Sequence, residues 1–285
     1  MMAAGKEVTA VLDPQRFIAL MYMVVVPVNT IWWLLTHYGV IGKAHADDDA
    51  HHLPMSGRGV GWLLGHTLAS VCGIIGLWEG LALADSAVGS LMSRIEVVVA
   101  IILGMLFLSE RFTRAHWIGF GLTVLGMIVV RWTSLSGDSA AFIWLLLGAI
   151  AFGFAEYTGK VAVKYVPVPR LVLIRGWLMM LTLTAVWWIR CPGWPQLSWA
   201  IWGWLVLSAL MGPVLARNSY MLSLSYLPVS QVVLFNQTQV LFAAIVGFLL
   251  RTEIPQPLFW AGAAAIVLGN VVLVLARERV KQTAQ

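Results

Sequence analysis

The sequence predicts an all-α, polytopic membrane protein of about nine transmembrane helices, built from two inverted five-helix repeats of which the first lacks its first helix. Three observations predict it: the composition, the spacing of apolar runs, and an internal repeat. Of 285 residues, 60% are hydrophobic and only 11% are charged, against roughly 25% charged in an ordinary soluble domain. A water-facing surface cannot be assembled from so few charges. A mean hydropathy of +0.85 and 15 Trp instead suit lipid-facing helices with aromatic anchors at the interfaces.

Runs long enough to cross roughly 30 Å of hydrocarbon fall at about 17–37, 59–84, 88–108, 115–133, 140–159, 169–190, 198–224, 229–250 and 257–276. The first follows a stretch carrying Lys6, Glu7, Asp13 and Arg16 and has full spanning length, so it reads as a retained helix and not as a cleaved signal. The only long polar connector is 38–58. The other connectors are short and hold breakers: Pro167 and Pro169, Pro192 and Pro195, Pro228, and Pro255 and Pro257. Basic residues at helix ends set orientation. One side collects Lys43, Arg58, Arg111, Arg114, Lys160, Lys164, Arg170, Arg277, Arg279 and Lys281, and the other only Lys6, Arg16, Arg131, Arg190 and Arg251. The C-terminus is therefore expected in the cytoplasm, and the membrane to be the cytoplasmic (inner) one.

A shift of 143 residues aligns Gly104 with Gly247, Glu110 with Glu253, Trp117 with Trp260, Gly119 with Gly262 and Gly126 with Gly269. Further upstream the register becomes 154, pairing Gly5-Lys6 with Gly159-Lys160 and Arg16 with Arg170. The difference of 11 matches the polar insertion around His45 to Met55. The N-terminal tail thus reads as the exit of a helix whose counterpart is 140–159. A unit of five crossings, an odd number, places consecutive copies in opposite orientations, the arrangement typical of carriers. The expected repeats are 1–134 and 135–285. A start assigned too late and a natural nine-helix variant both explain the missing helix.

These residues resemble the drug/metabolite transporter superfamily, in particular its EamA-type members with two five-helix repeats. The resemblance rests on LMSRIEVVVAIILGMLFLSERFTRAHWIGFGLTVLGMIVV at 91–130 and VLFNQTQVLFAAIVGFLLRTEIPQPLFWAGAAAIVLGNVVLVL at 233–275. Family repeats commonly carry a Glu-Pro pair about one helix-length before the terminal Glu. Here the positions are Glu96-Val97 and Gln239-Val240, so both prolines are missing. The family's Arg early in the second helix of a repeat is matched by Arg175, while the first-half position is Met21. The resemblance implies transport of a small organic solute, often efflux of amino acids or other metabolites.

Glu79, Glu96, Glu156, Arg94, Arg175 and Arg217 lie within apolar runs, where each unpaired charge costs about 2.5–3.5 kcal/mol on insertion scales. Two readings stand: structural ion pairs between helices, or the lining of a solute pathway. Arg94 and Glu96 are two residues apart, about 200° around a helix, and are expected to serve different neighbours. Glu96 is the first candidate for proton coupling. Its alternative role is permanent neutralisation of Arg175 or Arg217. Asn236, Gln237 and Gln239 sit at the repeat-equivalent depth, with Gln231 nearer the start of that helix. Amides both donate and accept, so they suit solute recognition or interhelical bonding. Arg217 with Asn218 and Tyr220, Arg175 with Trp177, and Glu79 beside Trp78 offer groups of both signs, as a zwitterion requires. Glu110 and Glu253 are expected to fix turns, the glycine pairs to pack helices, and His66 and His116 to be packing or interfacial residues.

The function expected is alternating-access transport of a small organic metabolite across lipid. Export and proton coupling are its expected direction and drive, with a membrane scaffold that has lost transport as the alternative. An enzyme is not expected, because no nucleophile and base pair, metal-ligand set or cofactor motif stands out. The histidines and aspartates of 45–52 lack the spacing of a metal site, so no metal and no cofactor are expected. Nucleic acid is not expected either, since the basic residues sit in connectors and form no face. Assembly of several copies is compatible with the sequence.

Overall fold

The computed structural model describes residues 2–37, 56–108, 113–134, 139–163, 165–166, 168–220, 239, 242, 245, 246, 249 and 256–283. The elements are α1 (Met2–Thr9), α2 (Pro14–His37), α3 (Gly57–Leu83), α4 (Ser86–Ser93), α5 (Ile95–Leu108), α6 (Arg114–Ser134), α7 (Ser139–Ala162), α8 (Val168–Arg190), α9 (Trp199–Ala209) and α10 (Pro257–Thr283). A π-helical stretch, Leu210–Ala216, continues α9, and helix persists to Tyr220. No strand occurs among the described residues. Six helices are long and apolar enough to cross a membrane: Pro14–Leu35, Gly57–Leu83, Ser139–Ala162, Arg170–Arg190, Trp199–Tyr220 and Pro257–Leu275. Arg114–Val130 is a shorter apolar helix. The chain is an all-α integral membrane protein. Most of the expected helix 229–250, with Gln231, Asn236 and Gln237, lies outside the described residues, as do Glu110, Glu253 and the insertion 45–52.

Helix boundaries follow both registers of the repeat. Adding 154 to Pro14 gives Val168, the first residue of α8, and adding 143 to Arg114 gives Pro257, the first residue of α10. Subtracting 154 from Ala162, the last residue of α7, gives position 8, and α1 ends at Thr9. Local chemistry starts each element. Pro14 and Pro257 occupy the first helical position, where a missing N–H costs nothing. Ser198 caps α9 by accepting from the Ile201 N–H at 3.4 Å. Thr113 caps α6, and His116 reaches back three residues so that its Nδ1 accepts from the Thr113 N–H at 3.2 Å and lies 2.7 Å from the Thr113 hydroxyl. Residue His116 therefore plays the part usually taken by Glu or Gln in a capping box.

The chain divides into two compact units, one of residues 3–71 with 155–221 and the other of 72–154 with 222–285. Each draws helices from both repeats. In the first unit α2 packs on α8 and α9, and Arg16 at the start of α2 donates to the Cys191 carbonyl beyond the end of α8, at 3.4 Å from Nε and 3.3 Å from Nη2. The start of one helix against the end of the other makes the pair antiparallel, and the cation sits at the negative end of α8.

In the second unit α6 packs on α10 through four glycines. A Cβ on Gly119 would lie 2.8 Å from the Gly269 carbonyl, and one on Gly126 would lie 2.6 Å from that of Gly262. The reverse contacts also hold, Gly269 against Gly119 at 2.7 Å and Gly262 against Gly126 at 3.1 Å. Under the 143 register Gly119 is equivalent to Gly262, and Gly126 to Gly269. Each glycine therefore faces the equivalent of the other, the reciprocity of a contact across a two-fold axis. Equivalent helices run in opposite directions here, as inverted repeats require.

The expected helix 88–108 is interrupted. It forms α4 and α5 with Arg94 between them, although no proline lies in the stretch. The Arg94 N–H bonds the Leu91 carbonyl at 3.0 Å and the Val97 N–H bonds the Arg94 carbonyl at 3.2 Å, both three residues apart.

Candidate functional site

Five of the singled-out residues are gathered in the first unit. Arg217 on the turn after the π-helical stretch donates from Nη1 to Glu156 Oε1 of α7 at 2.8 Å, and its guanidinium carbon lies 5.6 Å from the centre of the Tyr220 ring, a cation–π distance. Asn218 Nδ2 donates to Asn29 Oδ1 of α2 at 3.0 Å. Arg175 of α8 donates from Nε to Ser70 Oγ of α3 at 3.2 Å and hydrogen-bonds Tyr22 of α2, within electrostatic reach of both Arg217 and Glu156. Two guanidinium groups and one carboxylate thus meet a ring of hydroxyls and amides.

The π-helical stretch is what aims Arg217. With Pro213 inside it, the Arg217 N–H passes over the usual partner and bonds the Gly212 carbonyl, five residues back. The extra residue in that turn rotates everything after it, a feature that recurs at functional sites. Sequence reasoning missed Tyr22, Asn29 and Ser70, and assigned His66 to packing. His66, 1% exposed, places Nδ1 2.8 Å from the Ala155 carbonyl of α7, one residue before Glu156. Its edge lies against Gly159, where a Cβ would come within 2.8 Å of the ring. Two polar residues one turn apart on one helix, His66 and Ser70, were the signal available.

In the second unit Arg94 is the hub. Its Nη2 donates to Gln239 Oε1 at 2.9 Å and to Ser93 Oγ at 3.2 Å, and lies 3.5 Å from Glu96 Oε1. The expectation that Arg94 and Glu96 serve different neighbours is therefore corrected. It assumed that residues about 200° apart on a helix cannot meet, whereas Arg94 keeps helical torsions and its long side chain still reaches Glu96. Under the 143 register Glu96 is equivalent to Gln239, so one guanidinium holds the same position of both repeats, a carboxylate from one and an amide from the other. The alternative in which Glu96 neutralises Arg175 or Arg217 gives way to other pairs: Glu156 meets Arg217, and Glu96 meets Arg94.

The two ion pairs differ in accessibility. Side-chain exposure is 25% for Arg217 and 26% for Glu156, but 4% for Arg94 and 17% for Glu96. Glu79 is half-buried on α3 in the second unit beside the fully buried Trp78, and it is not among the partners of Arg94 or Arg217 named above. Trp177 is 43% exposed, as an interfacial anchor would be.

Paired charges and amides held inside apolar spanning helices, on a frame of antiparallel equivalent helices, define a membrane transporter of small solutes. The EamA-like transporter family matches residues 1–132 and 139–275, one match to each repeat. The chain belongs to that family. One crystal structure of a protein resembles the fold with a TM-score of 0.66 and 15% identity, covering 98% of this chain and 94% of its own. No curated relative matches the sequence at a significant level.

Proposed function

We propose that the protein is a secondary transporter that moves a small organic metabolite bearing both charge signs by alternating access. The observation that carries this reading is the gathering of Glu156, Arg175, Arg217, Asn218 and Tyr220 from three separate helices onto one partly accessible set. The two guanidinium groups suit a carboxylate, and Glu156 with the Tyr220 ring suits an amine. On this reading 1–134 and 135–285 are the two repeats of the carrier. The sealed pair of Arg94 and Glu96 serves proton coupling. The distribution of basic residues supports a cytoplasmic C-terminus in the inner membrane, with export as the direction.

The test is solute flux into and out of proteoliposomes, with and without a pH gradient, for the wild type and Glu96→Gln. Flux driven by the gradient in the wild type and indifferent to it in Glu96→Gln is the expected result. Retained coupling in an active Glu96→Gln removes Glu96 from that role. Co-purification of a protein partner without flux for any of a panel of amino acids and organic acids points to a scaffold.

A further inference from the structure

Two buried acceptors in the first unit meet no donor among the described residues: Nε2 of His66 and Oδ1 of Asn218. His66 lies in α3 and is 1% exposed. Its Nδ1 stands 2.8 Å from the Ala155 carbonyl, and a carbonyl only accepts, so Nδ1 carries the proton. The neutral ring, the form that adds no third cation to Arg175 and Arg217 within electrostatic reach, then keeps a lone pair on Nε2. Asn218 commits its Nδ2 to Asn29 Oδ1 at 3.0 Å, so Oδ1 is the atom left without a partner.

Both residues flank the ion pair of the site. His66 is bonded to the residue before Glu156, and Asn218 follows Arg217, whose Nη1 donates to Glu156 Oε1 at 2.8 Å. Packing explains neither acceptor. The 143 register places Ala209 and Ile75 at the equivalent positions, so the fold accommodates apolar side chains there, and a buried acceptor without a donor carries a penalty that an apolar group avoids. Such a group in a native protein calls for a reason beyond packing. Glu156 has acceptor capacity as well, since an ionised carboxylate offers about four lone-pair sites, more than the Arg217 contact fills.

We infer that His66 and Asn218 are specificity-determining residues for a primary amine: with Glu156 they offer three acceptors to the three N–H bonds of a primary ammonium group. This deepens the reading of the solute as bearing both charge signs, and rests on it for the carboxylate that the guanidinium groups take. His66 is covered in this state, so the ammonium reaches Nε2 as the helices open in the transport cycle. A quaternary ammonium meets the Tyr220 ring as readily as a primary one, but it has no N–H to give, and a hydroxyl has one. The acceptors therefore turn a general attraction for cations into a preference for primary amines.

The test uses the full-length protein and matched solutes: the common α-amino acids, their N,N,N-trimethyl betaines and the corresponding α-hydroxy acids, with butylammonium and butyltrimethylammonium ions as amines that lack a carboxylate. Competition in proteoliposome flux and the rise in unfolding temperature both read binding. In the wild type the best amino acid surpasses its betaine by about 100-fold or more, with the hydroxy acid between them, because a site whose buried polar groups are left unpaired rejects the analogue strongly. His66→Phe keeps a ring against Gly159 and removes the lone pair, and Asn218→Leu removes Oδ1 at similar size. Each narrows the preference by about tenfold or more, the loss of one acceptor. His66→Gln, which retains one donor and one acceptor, keeps it. The ratio within a matched pair is decisive, since a merely structural loss lowers both members alike. Should His66→Phe not fold, Asn218→Leu decides. Betaines that serve as well as amino acids in the wild type overturn the proposal, and so does a preference that survives in every variant that folds. A preference seen in the butyl pair, with a carboxylate making no difference, overturns the reading of a solute with both charge signs and keeps the acceptors as amine contacts. Carboxylates recognised without any amine, or no recognition in the whole panel, overturns both.

Discussion

Two ion pairs among the described residues of this membrane protein, Arg217 with Glu156 and Arg94 with Glu96, use the same chemistry and differ in how they are held. Arg217 and Glu156 meet at 2.8 Å with about a quarter of each side chain accessible, whereas Arg94 and Glu96 stand 3.5 Å apart around a guanidinium that is 4% exposed. The first pair comes from two helices, is aimed by a π-helical turn, and is surrounded by hydroxyls, amides and a second guanidinium. The second comes from one interrupted helix and is fastened by an amide from α10. An accessible pair exchanges its partner for a solute at low cost. A sealed pair cannot, because a desolvated ion left alone is penalised by several kcal/mol. The first set thus suits recognition of a solute, and the second does not.

The largest effect should come from breaking the accessible pair. Arg217→Gln leaves the Glu156 carboxylate without its 2.8 Å partner. Solute flux should fall by about two orders of magnitude, and thermal stability by the equivalent of ~1–3 kcal/mol. The double variant Glu156→Gln, Arg217→Gln should recover most of the stability, since two neutral amides need no mutual charge, while flux stays lost. Thermal unfolding in detergent and proteoliposome flux measure the two separately. Recovery of flux along with stability would return the pair to a structural role.

A smaller effect concerns the frame of the sealed pair. Gly126→Leu and Gly269→Leu place side chains where a Cβ already meets the facing helix backbone within 2.9 Å, so α6 and α10 must separate. Overpacking of this kind costs about 1–3 kcal/mol, and the two variants should lose similar stability because their positions are equivalent. Gly121→Ala is the control on the same helix. A Cβ there meets nothing within 4 Å, and the change should raise stability by up to about 1 kcal/mol through helix propensity.

Much of this architecture was legible in the sequence, and the reason is physical. Lipid demands long apolar helices whatever their neighbours, so α2, α3 and α6 to α10 could be read from local pattern. The expected starts of about 169 and 257 for α8 and α10 fall at or next to the observed Val168 and Pro257. What stayed hidden depends on residues distant in the chain. All six membrane charges were found, but no local rule says that Glu156 takes Arg217, or that Arg175 takes Ser70 and Tyr22. The turn at Arg94 is local instead, since the Ser93 hydroxyl donates to the Ser90 carbonyl and the Arg94 N–H bonds Leu91, a detail that hydrophobic pattern does not carry. A rule about helical faces then gave a wrong answer for Arg94 and Glu96, because it left out the reach of an arginine side chain.

The smallest effect tests the equivalence of the two repeats at Arg94. Glu96 and Gln239 occupy one position of the repeat, and both bond the same guanidinium, the amide at 2.9 Å and the carboxylate at 3.5 Å. Exchanging them, Glu96→Gln with Gln239→Glu, conserves composition, net charge and the Arg94 partners, and moves the carboxylate to the shorter contact. Either single change alters the number of carboxylates on Arg94. Glu96→Gln leaves none from this pair, and Gln239→Glu gives two. The exchange should therefore keep flux within about tenfold of the wild type, a cost of at most ~1.4 kcal/mol in the barrier. Flux measured against pH for the two single variants and the exchange gives the comparison. If the exchange is as inactive as Glu96→Gln alone, the two repeats are not interchangeable at this position, and the side of Arg94 on which the charge sits matters as much as its presence.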